Sequence, residues 1–251
     1  MNLAPGSTDI DRIQYDALKA TYRLFGRGDL MKFWLFEEHR CIYKPVNYFS
    51  IYEQWFAPYR GKEETVFVEV GVWNGGSMQM WHNYFGKNVK IVGVDINPVC
   101  KQFEDADENI FIEIGSQDDP NFWRAFKEKY PRVDVLLDDG GHFSNQQITT
   151  FREIFPHIKD GGLYMCEDCL TSYWPEYGGG LKKPDTFIEF AKNLIDELNA
   201  LNSKGAVEET YNSLNMGGMH FYNSVVIVEK KKVPFAPFDL AIGDFAEIKA
   251  N

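Results

Sequence analysis

The sequence predicts a doubly wound α/β fold: a mostly parallel seven-stranded sheet with helices on both faces, a C-terminal antiparallel hairpin and an N-terminal helical segment. Three observations predict it. From Thr65 onward, short apolar runs alternate with helical stretches, the pattern of right-handed βαβ units. The first apolar run, Val66-Phe67-Val68-Glu69-Val70, feeds a glycine-rich turn that opens into a helix. Two later runs end in acidic pairs, Asp138-Asp139 and Glu167-Asp168, where neighbouring parallel strands open onto one crevice.

The elements follow in order. Residues 10–60 are aromatic-rich and read mostly as helix. Ile10, Ile13, Leu18, Tyr22 and Phe25 recur at near-helical spacing until Gly26-Arg27-Gly28-Asp29 breaks the pattern. Between Tyr48 and Tyr59, the rings Phe49, Tyr52, Trp55 and Phe56 repeat that spacing. Packing against the sheet accounts for them, and a lid over a pocket is compatible with it. The division expected is a helical lid or appendage over 1–60 and the sheet domain over 61–251. Strands are expected at 65–70, 90–95, 110–114, 133–138 and 162–166, with helices at 77–85, 98–105, 119–129 and 144–156. A longer helix near 184–201 precedes two strands, about 207–213 and 221–229. Gly217-Gly218 between these strands implies an antiparallel pair.

The chain has 251 residues, 44% of them hydrophobic, enough to bury a full core in one domain. Its 26 basic and 37 acidic residues leave a net charge of −11, which argues against a nucleic-acid partner. The first residues, Met1 to Gly6, lack the basic-then-apolar pattern of a signal peptide, and no apolar run approaches the roughly 20 residues that cross a bilayer. A cytoplasmic protein without membrane contact is expected. Cys166 and Cys169 form a C-x-x-C pair, which raises a redox or zinc reading. No second such pair exists and the residues between are acidic, so buried reduced thiols are the better reading.

In the turn, Gly71-Val72-Trp73-Asn74-Gly75-Gly76-Ser77, glycine lets the backbone approach a ligand closely. The dinucleotide fingerprint is not met, and Trp73 is bulky where a pyrophosphate would lie, which favours a cofactor without phosphates. The second strand ends in Asp95, placed to accept hydrogen bonds from ribose hydroxyls, although such an acid can equally cap a helix. The third ends in Ser116-Gln117-Asp118, suited to an adenine amino group. Together they outline an adenosine crevice.

The stretch from about 65 to 230 resembles the class I S-adenosylmethionine-dependent methyltransferases, whose Rossmann-like sheet closes with an antiparallel hairpin. Their first motif appears here as Glu69-Val70-Gly71 with Gly75-Gly76. The resemblance implies S-adenosylmethionine as cofactor, with contacts at Glu69, Gly71, Gly75, Ser77, Asp95, Ser116, Gln117 and Asp138. The last can equally hydrogen-bond its own turn.

Within that superfamily, Asp138-Asp139-Gly140-Gly141-His142 and Gly161-Gly162-Leu163-Tyr164-Met165-Cys166-Glu167-Asp168 resemble a narrower group. These are the metal-dependent sugar O-methyltransferases of the mycinamicin type, which act on macrolide and other natural-product glycosides. Met80-Trp81, Tyr173-Trp174 and Phe221-Tyr222-Asn223-Ser224 support the likeness. Gly141 and Asn223 depart from it, since relatives often carry serine and aspartate there. The resemblance implies Asp139, Glu167 and Asp168 as metal ligands and His142 as general base. It also implies a glycoside acceptor, and a homo-oligomer is compatible with it.

The chemistry is consistent. Carboxylates without a thiolate cluster make a hard oxygen site that suits Mg²⁺ or Mn²⁺. A metal acidifies a bound hydroxyl, and histidine is the side chain that most readily takes a proton near neutral pH. Tyr173 and Trp174 can stack on a sugar face or simply pack. The 169–185 loop with Gly178-Gly179-Gly180 is expected to be mobile and to order over the acceptor. His82, His157 and His220 lack acidic neighbours in sequence and read as surface or core residues. Cephalosporin-modifying and catechol-type methyltransferases share this layout, and a catalytically silent cofactor-binding subunit is the non-enzyme alternative.

Overall fold

The computed structural model describes residues 3, 5–25, 28–233, 240 and 242. The break at Gly26-Arg27 and most of the stretch beyond 233 lie outside the described residues, as do Met1, Asn2 and Ala4. Helices α1 (Asp9–Phe25), α2 (Asp29–Phe36) and α3 (Tyr48–Phe56) precede the sheet. Then come β1 (Val66–Val70), α4 (Gly76–Phe85), β2 (Lys90–Asp95), β3 (Ile110–Ile114), α5 (Pro120–Lys129), β4 (Val133–Asp138) and α6 (Ser144–Ile154). The chain closes with β5 (Ile158–Cys166), α7 (Phe187–Leu198), β6 (Met216–Tyr222) and β7 (Val225–Lys230).

The sheet order is β3-β2-β1-β4-β5-β7-β6, with β7 antiparallel to both neighbours and all other pairs parallel. The order reverses between β1 and β4, the switch point at which such sheets open a crevice. Strand alternation divides the core in two. Phe67, Leu137 and Met165 face α3 and α4, packing with Phe56, Trp81 and Phe85. Val68, Leu136 and Cys166 face the other layer, packing with Trp123, Phe151 and Leu194. The aromatic face of α3 therefore belongs to the sheet's own core. Helix α1 does not share it: Ile10 and Ile13 are about two-thirds exposed, at 66% and 68%.

Three expectations need correction. The 98–105 helix is a 3-10 segment, Pro98–Phe103, started by Asn97, whose side chain accepts the Val99 N–H. Residues 207–213 form no strand; the partner of β7 is Met216–Tyr222. The hairpin turn is Asn223-Ser224, with Ser224 at φ 65°, while Gly217-Gly218 sits inside β6 at a register shift. Glycine in a strand marks a bulge as readily as a turn, and Asn-Ser at the tip was the better turn signal.

Candidate active site

The hydrogen-bond ladder runs one residue past the strand ends. Gly71 N–H donates to the Val94 carbonyl at 2.8 Å, Asp139 N–H to Val70 at 3.0 Å, and Glu167 N–H to Asp138 at 2.9 Å. Gly71, Asp139 and Glu167 thus stand side by side at one level of the sheet. Alternation then sends adjacent acids to opposite faces. Asp138 turns to the α6 side, where Gln117 Nε2 donates to it at 2.9 Å and the Tyr164 hydroxyl at 3.0 Å. Glu69, Asp139 and Glu167 turn to the α3 side, where all three meet Lys44.

A crevice of about 860 Å³ opens over these strand ends. Of the cofactor residues expected from sequence, Gly71, Asp95, Ser116 and Gln117 line it. Gly71 has φ 93°, and a Cβ there would lie 2.0 Å from the Asp139 carbonyl oxygen. Asp95 Oδ2 accepts the N–H groups of Val72 and Trp73 at 2.9 and 3.0 Å, and Oδ1 accepts Asn97 N–H at 2.8 Å. One carboxylate thereby shapes the glycine-rich turn as well as facing the cavity. Gln117 Oε1 accepts Gly141 N–H at 2.8 Å, tying β4's exit to the loop after β3. Gly75, Glu69, Ser77 and Asp138 lie behind the crevice wall. Ser77 Oγ donates to Glu69 Oε2 at 2.5 Å, so these two brace β1 against α4.

Asp139, His142 and Asp168 also line the crevice, and one ligand atom of each lies within 4.8 Å of the others. His142 Nε2 is 3.6 Å from Asp168 Oδ2, and its buried Nδ1 has no hydrogen-bond partner among the described residues. Both residues hold left-handed backbone, His142 at φ 60° and Asp168 at φ 50°. Such strain persists where surroundings enforce it. Here Thr171 Oγ1 donates to the His142 carbonyl at 2.8 Å and to the Asp168 carbonyl at 2.9 Å, clamping the two turns together. The Tyr48 hydroxyl donates to Asp168 Oδ1 at 2.7 Å.

Glu167, expected beside the two aspartates, is fully buried and lies outside the cluster of Asp139, His142 and Asp168. The Tyr52 hydroxyl donates to its Oε1, and Lys44 Nζ lies 3.0 Å from its Oε2. Burial pushes the Glu167 and Asp139 carboxyls above the ordinary range against the pull of Lys44, and it pushes Glu69 up to about 7. For Lys44, burial favours the neutral amine, but Asp139, Glu167 and Glu69 outweigh it and hold the ammonium well above the usual lysine value. Burial, with Asp168 beside it, likewise raises the Tyr48 hydroxyl.

Sequence reasoning missed Lys44 and read Tyr52 as a packing residue of a helix that could also form a lid, with no acceptor assigned to its hydroxyl. The signal available was tyrosine at positions 48 and 52 of an apolar helix face. Phenylalanine would fill such sites, whereas a buried hydroxyl needs an acceptor. Trp174 lines the crevice and Tyr173 does not; Tyr173 borders a neighbouring cavity with Leu170 and Phe221. Tyr177 joins the crevice wall instead, its ring 6.5 Å from that of His142 and 5.9 Å from Trp174. In the loop that follows, Gly179 N–H donates to Trp174 O at 2.8 Å and Gly180 N–H to Ser172 O at 2.9 Å. Cys166 and Cys169 are free and buried. Two histidines do have acidic partners, which folding supplies: His82 pairs with Glu108 at 3.1 Å and His220 with Glu229 at 2.7 Å.

A family model described as a methyltransferase domain matches residues 68–169. The 8-demethyl-8-alpha-L-rhamnosyl tetracenomycin-C 2'-O-methyltransferase of Streptomyces olivaceus is 34% identical over 195 residues, covering 74% of this chain and 50% of the relative. The mycinamicin VI 2''-O-methyltransferase of Micromonospora griseorubida is 34% identical over 191 residues, covering 71% and 47%. The chain thus spans about half the length of the curated relatives it matches. Among solved structures, the MycE methyltransferase in complex with Mg, SAH and mycinamycin VI aligns with a TM-score of 0.70 at 26% identity, over 91% of this chain and 63% of that one. The seven-stranded sheet, the glycine turn at its switch point with Asp95 bonded to it, and these likenesses agree. Residues 68–169 match a methyltransferase domain, and the chain resembles the class I S-adenosylmethionine-dependent methyltransferases and, within them, the metal-dependent macrolide-sugar O-methyltransferases.

Proposed function

We propose that this chain transfers a methyl group from S-adenosylmethionine to a hydroxyl of a sugar-containing acceptor, a natural-product glycoside or related saccharide, with Mg²⁺ or Mn²⁺ as metal. The observation that carries the reading is the meeting of Asp139, His142 and Asp168 within 4.8 Å on the wall of a cavity that also holds Gly71 and Asp95. The tetracenomycin and mycinamicin relatives, named for O-methylation, support the acceptor class, as does MycE with Mg and SAH.

The residues fit both groups. Glycine at 71 leaves backbone bare toward the cavity, and Asp95 faces the same space, so these two would hold the cofactor's methionine and ribose portions. Asp139 and Asp168 offer hard oxygen donors beside an imidazole whose Nδ1 is unpartnered among the described residues, and Glu167 shares Lys44 with Asp139. When bound, a divalent ion supplies Lewis acidity toward neighbouring acceptor hydroxyls. His142, at the cavity wall, takes the proton from the hydroxyl to be methylated. Thr171 and Asp168 hold its backbone and ring for that task. Trp174 and Tyr177 present ring faces to the acceptor and exclude water. The segment before the sheet, part of the sheet's own core at α3, carries Lys44 and Tyr48 into the site.

The test is a screen of purified protein for methyl transfer to glycosides, with Mg²⁺ and with EDTA. Transfer that requires the metal and a sugar hydroxyl is expected. Full activity in EDTA removes the metal from the mechanism.

A further inference from the structure

The short extended stretch between α2 and α3 lies tight against the glycine-rich turn. Arg40 and Cys41 carbonyl oxygens sit 2.4 Å from where a Cβ on Gly76 would be, so only glycine lets the stretch pass. Arg40 N–H donates to Gln79 Oε1 at 2.8 Å, and Arg40 Nη2 donates to the Gly75 carbonyl at 3.0 Å. The stretch is thereby pinned to α4 at its start, and it delivers the Lys44 side chain, 3% exposed, to the ends of β1, β4 and β5.

There the ammonium meets Glu69 at 3.4 Å, Glu167 at 3.0 Å and Asp139, its Nζ resting 5.8 Å above the Tyr52 ring. Glu69 and Glu167 are fully shielded from water, so their charge is relieved by protein groups alone. Asp139 is shared: Oδ2 contacts Lys44, while the same residue belongs to the cluster with His142 and Asp168. An ammonium and a divalent ion on one carboxylate repel each other at short range, and the low-dielectric setting amplifies the repulsion.

We infer that Lys44 is a built-in rival of the divalent ion, holding Asp139 and Glu167 when the metal is absent and weakening its grip when it is bound. The inference rests on the metal reading above. It gives the site a reason to keep a buried cation: without it, Glu69, Asp139 and Glu167 would stand together with no cation among them before loading. A site built this way holds its carboxylates in place and still releases the ion.

The experiment titrates Mg²⁺ into the full chain by calorimetry, and Mn²⁺ by electron paramagnetic resonance, comparing wild type with Lys44→Met and Lys44→Arg. Lys44→Met should bind the ion roughly tenfold more tightly or better, given the size of a charge–charge term at such range. Its thermal midpoint should also rise more on adding Mg²⁺ than that of wild type. Lys44→Arg, which keeps the charge, should stay near the wild-type affinity. If Lys44→Met folds only with Mg²⁺ present, the inference is supported, since the ion then replaces the lost cation. Equal or weaker metal binding in Lys44→Met overturns it while leaving the metal site standing. No binding to wild type overturns both.

Discussion

The Tyr48 hydroxyl donates to Asp168 Oδ1 at 2.7 Å, joining the first turn of α3 to a loop 120 residues later. A helix that sequence reads mainly as packing, with a lid compatible, therefore orients one of the crevice carboxylates. The same helix sends Tyr52 to Glu167, so two hydroxyls one turn apart support two adjacent acids.

Tyr48→Phe should fold normally, because its ring stays in the core. Loss of the hydroxyl frees Asp168 to rotate, and Mg²⁺ affinity should fall about tenfold, the lower end for a hydrogen bond to a charged group. Calorimetric titration of both proteins measures it; unaltered affinity would show that Asp168 needs no such support.

His142→Ala should keep metal and cofactor affinity while kcat drops by roughly 10²–10⁴, the usual contribution of a positioned general base. Raising the pH should restore part of the rate, since more of the acceptor hydroxyl ionises unaided. Asp139→Ala should lose metal affinity as well. The opposite pattern, in which the histidine variant loses the ion and the aspartate variant keeps it, would exchange their roles.

Cofactor binding should be most sensitive at Gly71 and Asp95. Gly71→Ala forces a Cβ into the Asp139 carbonyl from a backbone at φ 93°, so affinity for S-adenosylmethionine should collapse. Asp95→Ala removes the acceptor of the Val72, Trp73 and Asn97 N–H groups and should weaken it strongly. Asp95→Asn, which keeps one acceptor oxygen, should fall between. Equal binding by wild type and Asp95→Ala would remove Asp95 from the cofactor site.

Far from the crevice, Asp134 is buried and accepts from Arg132 at 2.9 and 3.0 Å and from Val66 N–H at 2.9 Å, with Lys159 also paired to it. Burial alone would raise this carboxyl, but Arg132, Lys159 and the Val66 N–H outweigh it and hold it below its ordinary value. The depressed folded value makes the stabilisation present above the unfolded pKa of about 3.9 and lost as pH falls through the folded one. Asp134→Asn should cost about 1–3 kcal/mol at neutral pH. In denaturant melts the gap between the two proteins should narrow below about pH 4. A constant gap would contradict the pairing.

The legibility of the fold followed the strength of each local signal. β1, β2, β3 and β4 were readable to within a residue because β-branched runs bounded by glycine and acids admit little else. The Met216–Tyr222 strand was not, since it carries two glycines and a histidine and is held by pairing with β7 rather than by its own pattern. In the site, Gly71, Asp95, Gln117, Asp139, His142 and Asp168 were legible because strand ends in a parallel sheet must converge. Strict alternation along β1 and β4 sends Glu69 and Asp138 to opposite faces, but only the packed layers on each face put them, with Ser77, behind the crevice wall.

By itself, the sequence determined the doubly wound sheet, the crevice at its switch point and the acids at its rim, because each depends on a periodicity or a turn within a few neighbouring residues. Only the tertiary structure decided that Lys44 stands among Glu69, Asp139 and Glu167, that Tyr48 and Tyr52 donate to the acidic pair, and that His142 rather than Glu167 groups with the two aspartates. Those contacts join residues far apart in the chain. Their geometry is set by how the segment before the sheet packs over it, which no local pattern encodes.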